Sequence, residues 1–163
     1  MLTLYKSMVR SLIEYCCPLW HSNRISHIQE LESVQRTFTA RIAGVQHLDY
    51  WERLQKLSLM SLQRRRERYV LLHMWKIRHG QVSNDLRVSF VTRPRTGIKA
   101  VIPSLRKGAS AHHQSLYDNS FAVMGPRLWN CLPVQLNSIE TFDMFKQKLT
   151  SELLRIPDQP PCV

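Results

Sequence analysis

The residues best suited to chemistry in this chain are cations. Arg64, Arg65, Arg66 and Arg68 crowd one short stretch, with Tyr69, Trp75 and Lys76 just after them, and Arg93, Arg95, Lys99, Arg106 and Lys107 form a second group. Guanidinium and ammonium groups near aromatic rings suit phosphate contacts and base stacking, which together hold nucleic acid without reading its sequence. The charge is local. Between Arg53 and Lys107 lie 14 of the 23 Lys and Arg residues, opposed only by Glu67 and Asp85, a net of +12, whereas the rest of the chain holds nine basic and ten acidic side chains. A charge run is usually a solvated face, but one this lopsided points first to a nucleic acid, next to solubility or a protein partner, and least to a membrane surface.

The other constellations carry less. Cys16, Cys17, His21 and His27 lie close together, but structural zinc needs ligands paired two to four residues apart at two places, and here the first pair is adjacent. Cys16 reads as core and Cys17 as a helix end. Asp49 and Glu52 could share acid and base work, yet their spacing is that of a capping box. His73 falls on an apolar helix face and reads as a hydrogen-bonded core imidazole, while His112 and His113 read as a solvated pair. No nucleophile elbow, P-loop or Gly-rich dinucleotide turn occurs. No enzyme is visible in these residues, and no metal or cofactor is expected.

The elements that must position the cations are helical. In residues 2–16 an apolar side formed by Leu2, Tyr5, Val9, Leu12, Ile13 and Cys16 predicts a helix that Pro18 stops. Ser26 with Gln29 has capping-box spacing before a stripe of Ile28, Leu31, Val34, Phe38 and Ile42 that ends at Gly44. Asp49 and Glu52 open a short third helix, and Ser61 caps a fourth that Gly80 closes. On that fourth helix Leu62, Tyr69, Val70, His73, Met74 and Ile77 share one face, with Arg64, Arg68 and His79 opposite. Residues 91–115 lose periodicity and read as a basic arm, with a short strand at Ile98–Ile102. A compact piece anchored by Phe121, Val123, Leu128 and Trp129 follows, punctuated by Pro126 and Pro133, and then a last helix over 141–154 carrying Phe142, Phe145, Leu149 and Leu153.

The 163 residues, 44% hydrophobic with only five glycines, suit one main core in a helix-rich, folded protein. The four cysteines, Cys16, Cys17, Cys131 and Cys162, make no disulfide framework, so a reducing compartment, nucleus or cytoplasm, is expected rather than secretion. No run approaches the roughly 20 apolar residues of a bilayer span, and neither a signal peptide nor a membrane partner is expected.

Five segments in order, LYKSMVRSLIEYCCPLW, LESVQRTFTARIAG, YWERLQKLSLMSLQRRRERYVLLHMWKIRHG, FAVMGPRLWNCLP and TFDMFKQKL, resemble the region after the palm in reverse transcriptases of non-LTR, LINE-type retrotransposons of the jockey kind. The likeness covers residues 2–154. It implies a helical thumb and its C-terminal continuation, and with the pattern of the chain the expectation is an all-α fold: a helical thumb-like bundle over 1–88, a basic linker or arm with a short strand over 89–116, a C-terminal helical segment over 117–155 and a disordered tail over 156–163. In the parent polymerase this region cradles the primer-template duplex, RNA, DNA or their hybrid, while palm aspartates hold Mg²⁺. Here Asp49, Asp85, Asp118, Asp143 and Asp158 are never adjacent, so the family's paired-aspartate motif is missing and polymerase activity is not expected.

The family positions carried over, Tyr5, Val9, Arg10, Glu14, Tyr15 and Trp20 in the first block and Trp129, Asn130, Leu132 and Pro133 in the fourth, imply packing, with Arg10 and Glu14 as an i, i+4 ion pair. Ser11 stands where the family usually has proline, which implies a straighter first helix. The resemblance names no phosphate contacts; Arg64, Arg65, Arg68, Lys76, Arg93, Arg95, Lys99, Arg106 and Lys107 are the expected ones on charge alone. With Met1 falling inside the thumb, a truncated element copy is expected. The alternatives are an interaction or dominant-negative module that docks on a full-length element protein, and a fragment without function.

Overall fold

The computed structural model describes residues 2–20, 22, 24–85, 87–156 and 158. Helices dominate: α1 (Leu2–Leu4), α2 (Arg10–Glu14), α3 (Cys17–Trp20), α4 (Ile25–Ala40), α5 (Tyr50–Lys56), α6 (Leu62–Arg78), α7 (Ala111–Asn119), α8 (Phe121–Asn130), α9 (Val134–Asn137) and α10 (Phe142–Arg155). An all-α fold is corrected in one respect, because β1 (Phe90–Arg93) pairs antiparallel with β2 (Gly97–Ala100) in a two-stranded sheet. The chain forms two compact units, Met1–Arg66 with Leu153–Val163, and Glu67–Glu152. The division falls inside α6 and α10 rather than at residue 88, where the composition changes.

In the first unit the opening helix is neither continuous nor straight. Tyr5–Val9 form a π-helical turn between α1 and α2, and the Ser7 and Ser11 hydroxyls donate back to Thr3 O and Ser7 O at 3.0 and 2.5 Å. Such back-bonding loosens the backbone ladder that a straight helix needs. The break comes at Tyr15 and Cys16, before Pro18; Cys16 takes φ +50°, and Pro18 sits in the first turn of α3, where no helical bond is lost by its missing N–H. The cysteine roles are the reverse of those expected: Cys16 is exposed and Cys17 buried, and burial, with Glu14 near, pushes the Cys17 thiol up to about 12. Of the expected apolar side only Tyr5 is buried, while Leu12 is 78% exposed.

Helix α4 starts two residues earlier than Ser26 would dictate, with Arg24 at its N-cap and no side-chain cap. Its buried positions are Ile28, Glu32, Gln35 and Thr39, a mostly polar face where an apolar stripe was expected, and Val34 is exposed. These polar groups satisfy one another. The Tyr50 hydroxyl donates to Glu32 Oε2 at 2.5 Å, Gln63 N donates to Glu32 Oε1 at 2.7 Å, and Gln35 takes a bond from the Tyr5 hydroxyl while giving Nε2 to the Tyr50 hydroxyl and Met60 O. Tyr5 also stacks on Phe38, centroids 4.2 Å apart. Tyr50, Leu54 and Leu59, flanked by Leu2, Trp51 and Leu57, make an apolar cluster beside this network.

Two caps behave as the spacing requires. Glu52 N donates to Asp49 Oδ1 and Asp49 N to Glu52 Oε2, the full capping box of α5. Asp49→Ala should cost about 1 kcal/mol, read as a lower urea midpoint at unchanged slope. Ser61 Oγ accepts from Arg64 N at 3.0 Å, and Asp158 accepts from both Ser61 N and Ser61 Oγ at 2.7 Å. Asp158 thus belongs to the folded unit although the tail was read as disordered; Pro157 and residues 159–163, Cys162 among them, lie outside the described residues.

The second unit is built on the longer part of α6. Val70, Leu71, Met74, Trp75 and Ile77 are buried, together with Val123, Met124, Trp129, Leu136, Phe145 and Leu149. Gly125 lets α8 approach α6: a Cβ there would lie 2.8 Å from Met74 Sδ. Pro126 does not punctuate; it is buried inside α8. Trp75 stacks on His79 and gives Nε1 to Ile139 O at 2.9 Å. His73 is half-buried edge-on to Phe121, and burial, with Lys76 near, lowers its pKa, so the ring is neutral at physiological pH. The stretch read as an arm holds the β-hairpin and most of α7, whose N-cap is Ser110.

Candidate nucleic-acid interface

The cations of α6 face inward. In the first unit Arg64 gives Nη1 to Leu153 O at 2.9 Å and pairs with Asp158 at 3.7 Å. Arg65 forks onto Glu14, which Arg10 also meets at 3.6 Å in the expected i, i+4 pair. Arg66, 1% exposed, gives Nη2 to Gln63 Oε1 and lies over the Trp20 ring. In the second unit Arg68 Nε donates to Thr150 Oγ1 at 2.9 Å, Lys76 Nζ sits 5.1 Å from the Phe142 ring centroid, and Arg78 bonds Asn137 O and pairs with Glu140. Arg53 and Lys56 bind the carbonyls of Leu48 and Gly44. A planar guanidinium can satisfy several acceptors from one rigid fork, which suits it to fasten elements that an ammonium would hold less firmly. Arg64, Arg65, Arg68 and Lys76 are accordingly half-buried, not arrayed on an open face.

The hairpin is positioned differently, with one strand docked and the other facing solvent. Asn130 mimics a strand partner for β2, accepting from Ala100 N at 2.8 Å and donating to Ala100 O at 2.9 Å. Trp129 Nε1 donates to Ile98 O at 3.0 Å, and the ring meets Phe90 edge-on. Lys99 gives Nζ to Asn130 O at 2.6 Å and so also faces inward. Gly97, at φ +67°, has no room for a side chain, since a Cβ would lie 2.8 Å from Asn137 Oδ1. Residues 91–96 are left exposed, with Arg93 and Arg95 on either side of Pro94.

Arg106 and Lys107 are exposed on the following loop. With Leu105, Gly108, Ala109, Ser110 and His113 they line an open concavity of about 660 Å³. Ser110 Oγ accepts from His113 N at 3.4 Å, and the Tyr117 hydroxyl ties α7 to Pro103 O at 2.5 Å. The side chains of Arg93, Arg95, Arg106 and Lys107 have no hydrogen bond or ion pair among the described residues, and neither has that of the exposed Arg87. The sequence reading did not single out Arg87, although it lies within the counted charge; Asn130, the residue that docks the hairpin, was marked by the resemblance only as a packing position.

The remaining candidates are scattered. His21 lies outside the described residues, Cys17 is buried, and His27 Nδ1 is 3.1 Å from Ser22 Oγ. Among the described residues no group of three His, Cys, Asp or Glu side chains is placed to hold a metal, and no described helix is long and apolar enough to cross a membrane. Of the positions the resemblance marks for packing, Tyr5, Trp129 and Leu132 are buried, whereas Val9, Tyr15 and Pro133 are exposed. Compared with protein-family models, curated proteins and solved structures, the chain finds no match.

Proposed function

We propose that this chain is the post-palm region of a LINE-type retrotransposon reverse transcriptase and that it grips a nucleic-acid duplex by its phosphates, without polymerase activity of its own, in the nucleus or cytoplasm. The family part rests on five sequence blocks in order. The binding part rests on one observation: the α6 cations are engaged inside the protein, while Arg93, Arg95, Arg106 and Lys107 project into solvent with no internal partner among the described residues. Cations without internal partners release counterions from a phosphate backbone at little structural cost. Without paired aspartates the chain has no means of holding two Mg²⁺ for phosphoryl transfer, so primer extension on an RNA template should give no product.

Salt titration of duplex binding tests the assignment. Replacing Arg93, Arg95, Arg106 and Lys107 by alanine should flatten the slope of log K against log salt by up to about 3.6 units. The triple variant R64A/R65A/R68A should leave that slope alone and instead lower the thermal midpoint. The opposite pattern would return the phosphate role to α6.

One observation favours the docking module as a second reading. Leu4, Met8 and Leu12 recur at four-residue spacing and are each more than 60% exposed, as are Tyr15 and Leu19. An apolar row of this kind is an interaction surface in waiting. Capture of a full-length element protein that is lost on L4E/M8E/L12E, with duplex binding unchanged, would support it.

A further inference from the structure

The hairpin tip suggests a more specific ligand than a phosphate backbone, an inference that rests on the duplex-binding reading above. Strand β2 is docked along its length, Ala100 on Asn130, Ile98 on Trp129 and Gly97 closed in by Asn137 and Val134. A ribbon held flat in this way cannot insert whole into a major groove roughly 12 Å wide, as unattached two-stranded ribbons do. What it can offer a duplex is its outer edge and tip, residues 91–96, where two arginines flank a proline across the Arg93 to Gly97 turn. We infer that Arg93 and Arg95 enter the minor groove of B-form DNA, so that the protein prefers duplexes whose minor groove is narrow.

Groove dimensions decide the ligand. The minor groove of B-DNA is about 6 Å wide, enough to enclose a flat guanidinium, and in A-tracts it narrows further and its negative potential deepens. A-form RNA offers a wide, shallow minor groove that leaves a lone guanidinium exposed, and a major groove too deep and narrow to enter. Arginine is also the weakly hydrated cation, so it gives up water on insertion more readily than lysine. Pro94 fixes one φ angle of the tip and reduces the ordering needed on binding. The same proline lacks an N–H, and with two charges beside it this edge is a poor template for an added peptide strand, the competing use of an exposed strand.

Fluorescence anisotropy with three labelled 20-base-pair duplexes, compared at matched salt over a series of salt concentrations, tests this. The full chain should bind A-tract DNA on the order of tenfold more tightly than G·C DNA, and both more tightly than RNA duplex. Netropsin, which occupies A·T minor grooves, should displace it from the first. R93K/R95K keeps the charge but not the flat guanidinium and should erase the A-tract preference, the A-tract affinity falling further than the G·C affinity. R106A/K107A should weaken all three duplexes by the same factor. Equal affinity for A-tract and G·C DNA with no netropsin effect would overturn groove insertion and leave phosphate binding standing. Absence of salt-dependent binding to all three would overturn both.

Discussion

Trp129→Ala should lower the unfolding free energy by about 3–5 kcal/mol, the range for removing a fully enclosed aromatic side chain. Its consequence reaches the surface. Trp129 is completely buried, its Nε1 holds Ile98 O, and its ring supports Phe90 and Phe145, so its loss takes away the floor on which β2 lies. Hydrogen exchange at Ile98 and Ala100, whose amides bond Asn137 and Asn130, should rise towards the unprotected rate in the variant. Trp129→Phe separates the two effects, since it keeps most of the packing and removes one bond worth about 1 kcal/mol. If exchange in the hairpin is unchanged in Trp129→Ala, the strand is not held by this ring, and the docked-ribbon description fails.

The second large effect is expected in the first unit, where Glu32→Ala leaves the Tyr50 hydroxyl and Gln63 N buried without their acceptor. Each such orphan costs about 1–3 kcal/mol, so a loss of about 2–5 kcal/mol is expected in urea denaturation. Burial raises the Glu32 carboxyl above its usual range, against the opposing pull of the Tyr50 hydroxyl, the Gln63 amide and Arg66, and with Asp158 adding to the rise. A raised carboxyl binds its proton more tightly in the folded chain. Its contribution to stability is therefore whole below the unfolded value near 4.3 and is lost as pH climbs through the folded value. Glu32→Gln never ionises, so its stability relative to the parent should improve from pH 4 to pH 8. A gap that stays constant over that window would mean that Glu32 is not the strained carboxylate.

Particular residues show what the sequence could and could not disclose. Asp49 with Glu52, Ser61 and Gly80 mark helix ends by local chemistry, and local chemistry is what a sequence carries, so α5 and α6 lie where spacing puts them. Ser26 offered the same signal and failed, because α4 begins at Ile25 and its cap position belongs to Arg24. The buried face of α4 was misread for a different reason. Glu32, Gln35 and Thr39 look like a solvated side until Tyr5, Tyr50, Arg53 and Gln63 arrive from distant segments to satisfy them, and periodicity cannot anticipate that. The cations followed the same logic. Arg65 and Arg95 are equally charged on paper, and only the placement of Glu14 fastens one inside while the other stays in solvent. The strand near Ile98 was legible; its partner at Phe90–Arg93 was not, since Arg93 and Pro94 speak against a paired strand until Asn130 and Trp129 dock its neighbour.

The bond from Asp158 to Ser61 spans 97 residues and joins the two sequence-distant parts of the first unit. During synthesis, the start of α6 therefore waits for its second capping partner until 97 further residues have been made. The second unit, whose residues are contiguous, has all its parts at hand sooner. The unit that begins first is thus completed last, and during that interval the buried carboxylate of Glu32 and its tyrosine partners rely on bonds formed within residues 2–66 alone.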